Sequence, residues 1–148
     1  MTPTLRDYRA SDRRFVEALS KVAFAEFTPW AGRRTAQMAE RPSAATFVAE
    51  LEGAPVGFAI VDFAAPALAT LDAIATLTAQ RGVGVGRALL DGVEAEVRRR
   101  GVRFLRLVTA EANLAALDLF LKRGFRIIDH KKAFYPRRQN AVVLEKRV

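Results

Sequence analysis

The sequence predicts a mixed α/β layer fold, with helices packed on one sheet, and three observations carry that prediction. Segments of two-residue apolar alternation, stretches of helical apolar spacing, and a glycine-rich turn from strand to helix succeed one another along the chain. The length of 148 residues suits one domain over 1–148, and 51% apolar with 27% charged residues is the balance of a folded globular chain.

Thr4–Arg9 alternates and reads as an edge strand. Ser11-Asp12 then offers an N-cap for a helix with the stripe Phe15, Leu19, Val22 and Phe27. Thr28-Pro29-Trp30-Ala31-Gly32 breaks that helix, and a second runs from about Arg33 to Glu40, stopped by Pro42. Thr46–Leu51 and Val56–Phe63 form two strands across a hairpin turn at Glu52-Gly53-Ala54-Pro55, and Leu68–Leu77 forms a third. The glycine-rich loop opens into Ala88-Leu89-Leu90, continued by Val93 and Val97 and ended by Arg99-Arg100-Gly101, basic residues and then glycine. Phe104–Val108 is a short buried strand. Asn113 caps a helix carrying Leu117, Phe120 and Leu121 that closes at Gly124, and Phe125–Ile128 and Ala141–Leu144 supply the last strands.

The absence of cysteine excludes a disulfide frame, a thiolate nucleophile and a Cys-based metal site; no metal is expected. The opening MTPTLRDYRASDRR holds no apolar stretch and no run reaches the length of a membrane span, so a cytoplasmic address is expected and a membrane partner is not. The net charge of +8 fits a soluble surface, a polyanionic cofactor or a nucleic acid. No nucleic-acid recognition motif accompanies it, so nucleic acid ranks last.

Arg81-Gly82-Val83-Gly84-Val85-Gly86-Arg87 lies between a strand and a helix. Glycines allow a sharp turn and close approach of backbone to ligand. The loop amides and the first free N–H groups of the helix then converge on one anion site, with Arg81 and Arg87 at its rim. A P-loop requires Gly-Lys-Ser/Thr, and Gly86-Arg87-Ala88 does not supply it. The dinucleotide pattern lacks its third glycine, since Arg87 stands there, and three strands precede this one. A plain strand-to-helix turn is the remaining alternative.

Two segments together resemble one family. Arg81-x-x-Gly84-x-Gly86 followed by Arg87-Ala88-Leu89-Leu90 is similar to the acetyl-CoA signature of the GNAT N-acetyltransferase family. Asn113-x-x-Ala116-x-x-Leu119-Phe120-x-x-x-Gly124-Phe125 is similar to its second signature. Gly57 and Tyr135-Pro136 match further features, and the resemblance spans Leu5 to Glu145. It implies a mostly antiparallel sheet of six to seven strands flanked by about four helices. That sheet is splayed between the strand before the glycine loop and Phe104–Val108. It also implies acetyl-CoA as co-substrate. Its pantetheine arm would lie along Ile74, Ala75 and Thr76, its pyrophosphate on the amides of Gly82, Val83, Gly84, Val85, Gly86 and Arg87, and Asn113 and Phe120 would stand beside it.

The implied reaction transfers an acetyl group to a primary amine, a peptide or protein N-terminus or a small molecule, by direct attack in a ternary complex. The alternative is a non-catalytic acyl-CoA-binding regulatory domain. Where the family often has a proton-donating Tyr this chain has Phe120, and where relatives carry a base it has Val108 and Thr70. Tyr135 is therefore the first candidate acid, and the alternative is a thiolate that leaves unaided and takes its proton from water. Asp72, on one strand face with Thr70 and Thr76 by two-residue alternation, is the first candidate base, with Glu111 second and Glu26 third. His130, the single histidine, reads as structural or solvated. Phe24-x-x-Phe27-x-Pro29-Trp30 and Phe134-Tyr135-Pro136 resemble the acceptor-side elements of the ribosomal-protein alanine acetyltransferases, which makes Glu26, Phe27, Trp30 and Tyr135 candidate substrate contacts. An α-amine is roughly 15% neutral at pH 7 against roughly 0.04% for lysine, which favours an α-amine acceptor. A homodimer is compatible, with the last strand, Asn140–Val148, as its pairing edge.

Overall fold

The computed structural model describes residues 2–148. Along the chain run β1 (Thr4–Asp7), α1 (Arg13–Ala23), α2 (Ala31–Ala39), β2 (Ala44–Leu51), β3 (Ala54–Ala65), β4 (Leu68–Thr76), α3 (Val85–Arg99), β5 (Phe104–Ala110), α4 (Leu114–Lys122), β6 (Arg126–Lys131) and β7 (Ala141–Arg147). The seven strands make one sheet in the order β1-β2-β3-β4-β5-β7-β6. Every neighbouring pair is antiparallel except β4 and β5. Among the described residues no helix is long and apolar enough to cross a membrane.

The parallel pair opens almost at once. β4 and β5 are joined where Ala69 faces Leu105 and Thr70 faces Arg106. Past those positions β4 continues to Thr76 and β5 to Ala110 without pairing, so the implied splay is present. Helix α3 holds the halves together. Its buried stripe, Val85, Leu89, Leu90, Val93 and Val97, packs in one cluster with Val61 and Leu71 on one side of the gap and Leu105, Leu107 and Leu144 on the other. Lys146 Nζ on β7 also donates to Glu94 Oε1 on α3 at 2.8 Å. That carboxylate is buried, and the partner offsets its desolvation. On the opposite face α1 and α2 bury Val16, Leu19, Ala36 and Ala39 against Phe58, Ile60, Ala73 and Ala75.

Strand β4 changes face midway. Strict alternation expects Leu71, Ala73 and Ala75 on one side. Leu71 instead packs under α3, whereas Ala73 and Ala75 pack toward α1. The register to β3 slips here, with Val61 facing Leu71 and Ile60 facing Ala73, so Asp72 is the extra residue of a β-bulge. This corrects the single-face expectation for Thr70, Asp72 and Thr76. Asp72 stays with Thr70 on the α1–α2 side, while Thr76 lies opposite Gly57 beneath α3.

Other expectations need smaller corrections. Helix α1 ends at Ala23, and Phe24 to Thr28 forms a separate turn closed by Thr28 N–H donating to Phe24 O at 2.8 Å, so Phe27 is not helical. Val22 is exposed because the buried set is Val16, Leu19 and Ser20, one position out of phase with it. The hairpin turn is only Glu52-Gly53, both at positive φ, with Leu51 paired to Ala54. Strand β7 lies between β5 and β6, so both its edges are paired and it cannot be the pairing edge of a dimer.

Candidate active site

The glycine loop sets the start of α3. Gly84 caps the helix at φ 87°, in the left-handed region. A β-carbon there would meet nothing within 4 Å, so backbone conformation and not space selects glycine. Ala88 N–H donates to Gly84 O at 3.0 Å. The N–H groups of Val85, Gly86 and Arg87 precede that first helical bond and converge beyond the helix end, where its dipole favours an anion. Gly57 fixes where this end sits. A β-carbon at Gly57 would stand 2.8 Å from Ala75 O and 3.1 Å from Val85 Cγ1, so the helix start rests directly on β3 and β4.

A cavity of about 640 Å³ runs from this loop into the splay. Ile74, Ala75 and Thr76 line one wall, Arg81, Gly82, Gly84, Val85, Gly86 and Arg87 one end, and Asn113, Leu119, Phe120 and Arg123 the other wall. The structure thus brings the sequence-predicted cofactor residues together, except Val83, which is exposed and off the cavity wall. Asn113 caps α4, its Oδ1 accepting from Ala116 N–H at 3.3 Å, so its amide N–H groups are what it can offer a ligand. Phe120 is buried edge-on against Phe125, centroids 5.5 Å apart, as a core residue that also faces the cavity. Arg123, absent from the sequence-based set, lines the same wall and is ion-paired with Asp91.

A second cavity, of about 320 Å³, opens on the α1–α2 side. Its walls are Phe24, Phe27 and Trp30, Arg34, Thr35 and Met38 of α2, Leu71 to Ile74 of β4, Leu107 to Ala110 of β5, and Phe134 and Tyr135. The two cavities share Phe24, Ile74, Asn113, Ala116 and Phe120, and so meet where the strands part. The aromatic segments singled out in the sequence do meet across the mouth. The Phe27 and Tyr135 rings lie 5.5 Å apart, Phe134 stands edge-on to Tyr135 at 5.0 Å, and Gln139 Nε2 donates to Glu26 O at 3.0 Å.

Asp72 is an acidic group on this wall. Its Oδ2 is buried without a hydrogen-bond partner among the described residues. Burial first, and the charge of Asp62 second, push its carboxyl up to about 6, with Arg41 opposing them. Such a group changes charge near neutral pH, which suits proton transfer. Burial moves the Tyr135 phenol above its ordinary value, so it holds its proton throughout the neutral range. Glu111 and Glu26 are exposed and line neither cavity, so the second and third base candidates are not brought to the site. His130 is exposed on the edge strand β6.

Sequence reasoning missed Arg34, Thr35 and Met38. Ala31, Thr35 and Met38 fall at helical spacing and could have marked the inner face of α2.

A model described as the acetyltransferase (GNAT) family matches residues 7–125. The chain belongs to the GNAT acetyltransferase family. It is similar to the [ribosomal protein bS18]-alanine N-acetyltransferase of Haemophilus influenzae, 38% identical over 93 residues, or 60% of this chain and 62% of that protein. The aligned part therefore spans about three-fifths of that relative's length. The crystal structure of the ribosomal-protein-S18-alanine N-acetyltransferase from Escherichia coli superposes with a TM-score of 0.84 at 25% identity, covering 99% of this chain and 94% of that one. A GNAT family acetyltransferase from Elizabethkingia anophelis, solved with acetyl-CoA bound, shares the fold at a TM-score of 0.83 and 19% identity, covering 99% and 98%.

Proposed function

We propose that this GNAT protein is an acetyl-CoA-dependent N-acetyltransferase that acts on a primary α-amine, with a peptide or protein N-terminus as the preferred class. The observation that carries it is the meeting of two cavities at the splay. One ends in convergent amides suited to a pyrophosphate, and the other is lined by Asp72, whose side chain is only 17% exposed. The acetyl-CoA seen in a protein of the same fold supports the first cavity as the thioester site. The names of the Haemophilus and Escherichia relatives support a peptide α-amine as acceptor.

In this reading the amine lies in the smaller cavity and attacks the thioester carbonyl at the junction. The C–N bond forms, the C–S bond breaks, and the sulfur leaves to become a thiol. Asp72, ionised above about pH 6, takes the proton that the attacking nitrogen loses, directly or through one water. Tyr135, kept protonated by burial, supplies one to the departing sulfur. Past Thr70 the β5-facing side of β4 has no partner strand, and its N–H groups are available to polarise the carbonyl. The test is release of free thiol from acetyl-CoA with a panel of amines and short peptides. Release by wild type and its loss in Asp72→Asn, with cofactor affinity kept, is the expected result.

A second reading, a non-catalytic acyl-CoA-binding domain, is favoured by Phe120 and Val108, which put no ionisable group where the family often has one. Cofactor binding with no thiol release from any acceptor is the outcome that selects it.

A further inference from the structure

Among the described residues, the smaller cavity carries just two charged side chains. Asp72 is one, and Arg34 is the other. Every remaining lining residue is apolar, aromatic, Thr28, Thr35, Thr109 or Asn113. Arg34 projects from α2 at the mouth, is exposed, and makes no hydrogen bond or ion pair with any described residue. Arg41, just past the end of α2, by contrast faces Asp62 and Asp72. Arg34 also lies over the indole of Trp30, 6.0 Å from the ring centroid, a contact that restrains the guanidinium while leaving its N–H edge open.

We propose that Arg34 is the specificity residue of the acceptor cavity and that the acceptor amine carries a carboxylate, which this guanidinium receives. The inference rests on the transferase reading above and names its substrate class. With the largely buried Asp72 carboxylate and the exposed Arg34 guanidinium lining it, the cavity matches a molecule bearing an amine at one end and an acid at the other. Planar, bidentate pairing is what a guanidinium offers a carboxylate and a hydrated ammonium does not. Two sources supply that chemistry, the α-carboxylate of a free amino acid and the acidic side chain of a peptide's second residue. At about 320 Å³ the cavity is small, so the peptide beyond that second residue would lie outside it.

The lone tryptophan makes the test independent of turnover, because Trp30 lines the cavity beside Arg34. Its fluorescence would be titrated with three probes: free leucine, the amide-capped dipeptide Ala-Glu-amide, and Ala-Gln-amide, which lacks the acid. Thiol release would be followed in parallel. Saturable binding of a carboxylate-bearing probe about five- to tenfold tighter than Ala-Gln-amide is expected, with that advantage abolished in Arg34→Gln and weakened by salt. Leucine as the favoured probe points to free amino acids, and Ala-Glu-amide to peptides. Arg33→Gln, one residue away and off the cavity wall, should leave the preference intact. Equal affinity for acid and amide probes, or a preference that survives Arg34→Gln, overturns the proposal. Carboxylate-selective binding without thiol release keeps the subsite and sinks the transferase reading.

Discussion

Asp62 on β3 and Asp72 on β4 face a single guanidinium, with Arg41 Nη1 3.6 Å from Asp62 Oδ2 and 4.0 Å from Asp72 Oδ2. Asp62 also accepts from Ala64 N–H at 2.7 Å, whereas Asp72 Oδ2 has no hydrogen-bond partner among the described residues. Asp72 is the extra residue of the β4 bulge, and burial, with Asp62 beside it, raises its carboxyl while Arg41 opposes the shift.

Activity should therefore rise with pH through about 6, where Asp72 ionises. Asp72→Asn should lower kcat/KM by about 10²- to 10⁴-fold and remove this rising limb, read from a pH–rate profile of thiol release.

The same substitution should act on stability with the opposite sign. The folded carboxyl is raised above its unfolded value of 3.8, so the native state binds the proton more tightly. The contribution favours folding below about pH 4 and is lost as pH rises through about 6. At pH 7 Asp72→Asn should then be more stable than wild type, by about 1–2 kcal/mol once solvent screening is allowed for. Denaturant titrations at pH 4 and 7 would reveal the difference, and a loss of stability at pH 7 would contradict it.

Arg41→Gln removes the one cation that opposes the shift at Asp72. Arg41 is more than half exposed, so the effect is small. The rising limb should move to higher pH by up to about half a unit, with plateau kcat little changed.

Tyr135→Phe should lower kcat by about 10- to 100-fold with KM nearly unchanged, since only the phenol hydrogen is lost and the ring contacts to Phe27 and Phe134 remain. A change confined to KM would make Tyr135 a binding wall and not an acid.

Gly84→Ala tests the anion site. At φ 87° a side chain is strained even though the space is open, so about 1–2 kcal/mol of stability should be lost. Acetyl-CoA affinity measured by calorimetry should fall with it, because the free N–H groups of α3 depend on that cap. Unaltered affinity in a folded variant would separate the loop from the cofactor.

Much of the site was legible along the chain because its information is local. Glycines at 82, 84 and 86 followed by a helical stripe, and Asn113 at a helix start, each specify a backbone conformation within a few residues. Periodicity located every strand and helix for the same reason, with errors confined to ends such as Phe27, where a turn continues the helical spacing after the helix has stopped. Alternation ranked Asp72 first among the carboxylates, and tertiary structure brought it to the cavity while leaving Glu26 and Glu111 outside. Alternation cannot foresee a bulge, because the slip at Asp72 lies in the pairing of β4 with β3 and not in the spacing of its residues. Nor could spacing bring Arg34 of α2 to the same wall as Asp72 and Tyr135, or enclose β7 between two strands, because those neighbours are made by packing between distant segments. The sequence by itself determined a family, a sheet with its helices, and a glycine loop opening a helix. Which groups could move a proton, and which stood idle on the surface as Glu26 and Glu111 do, depended on burial, and burial is a property of the folded whole.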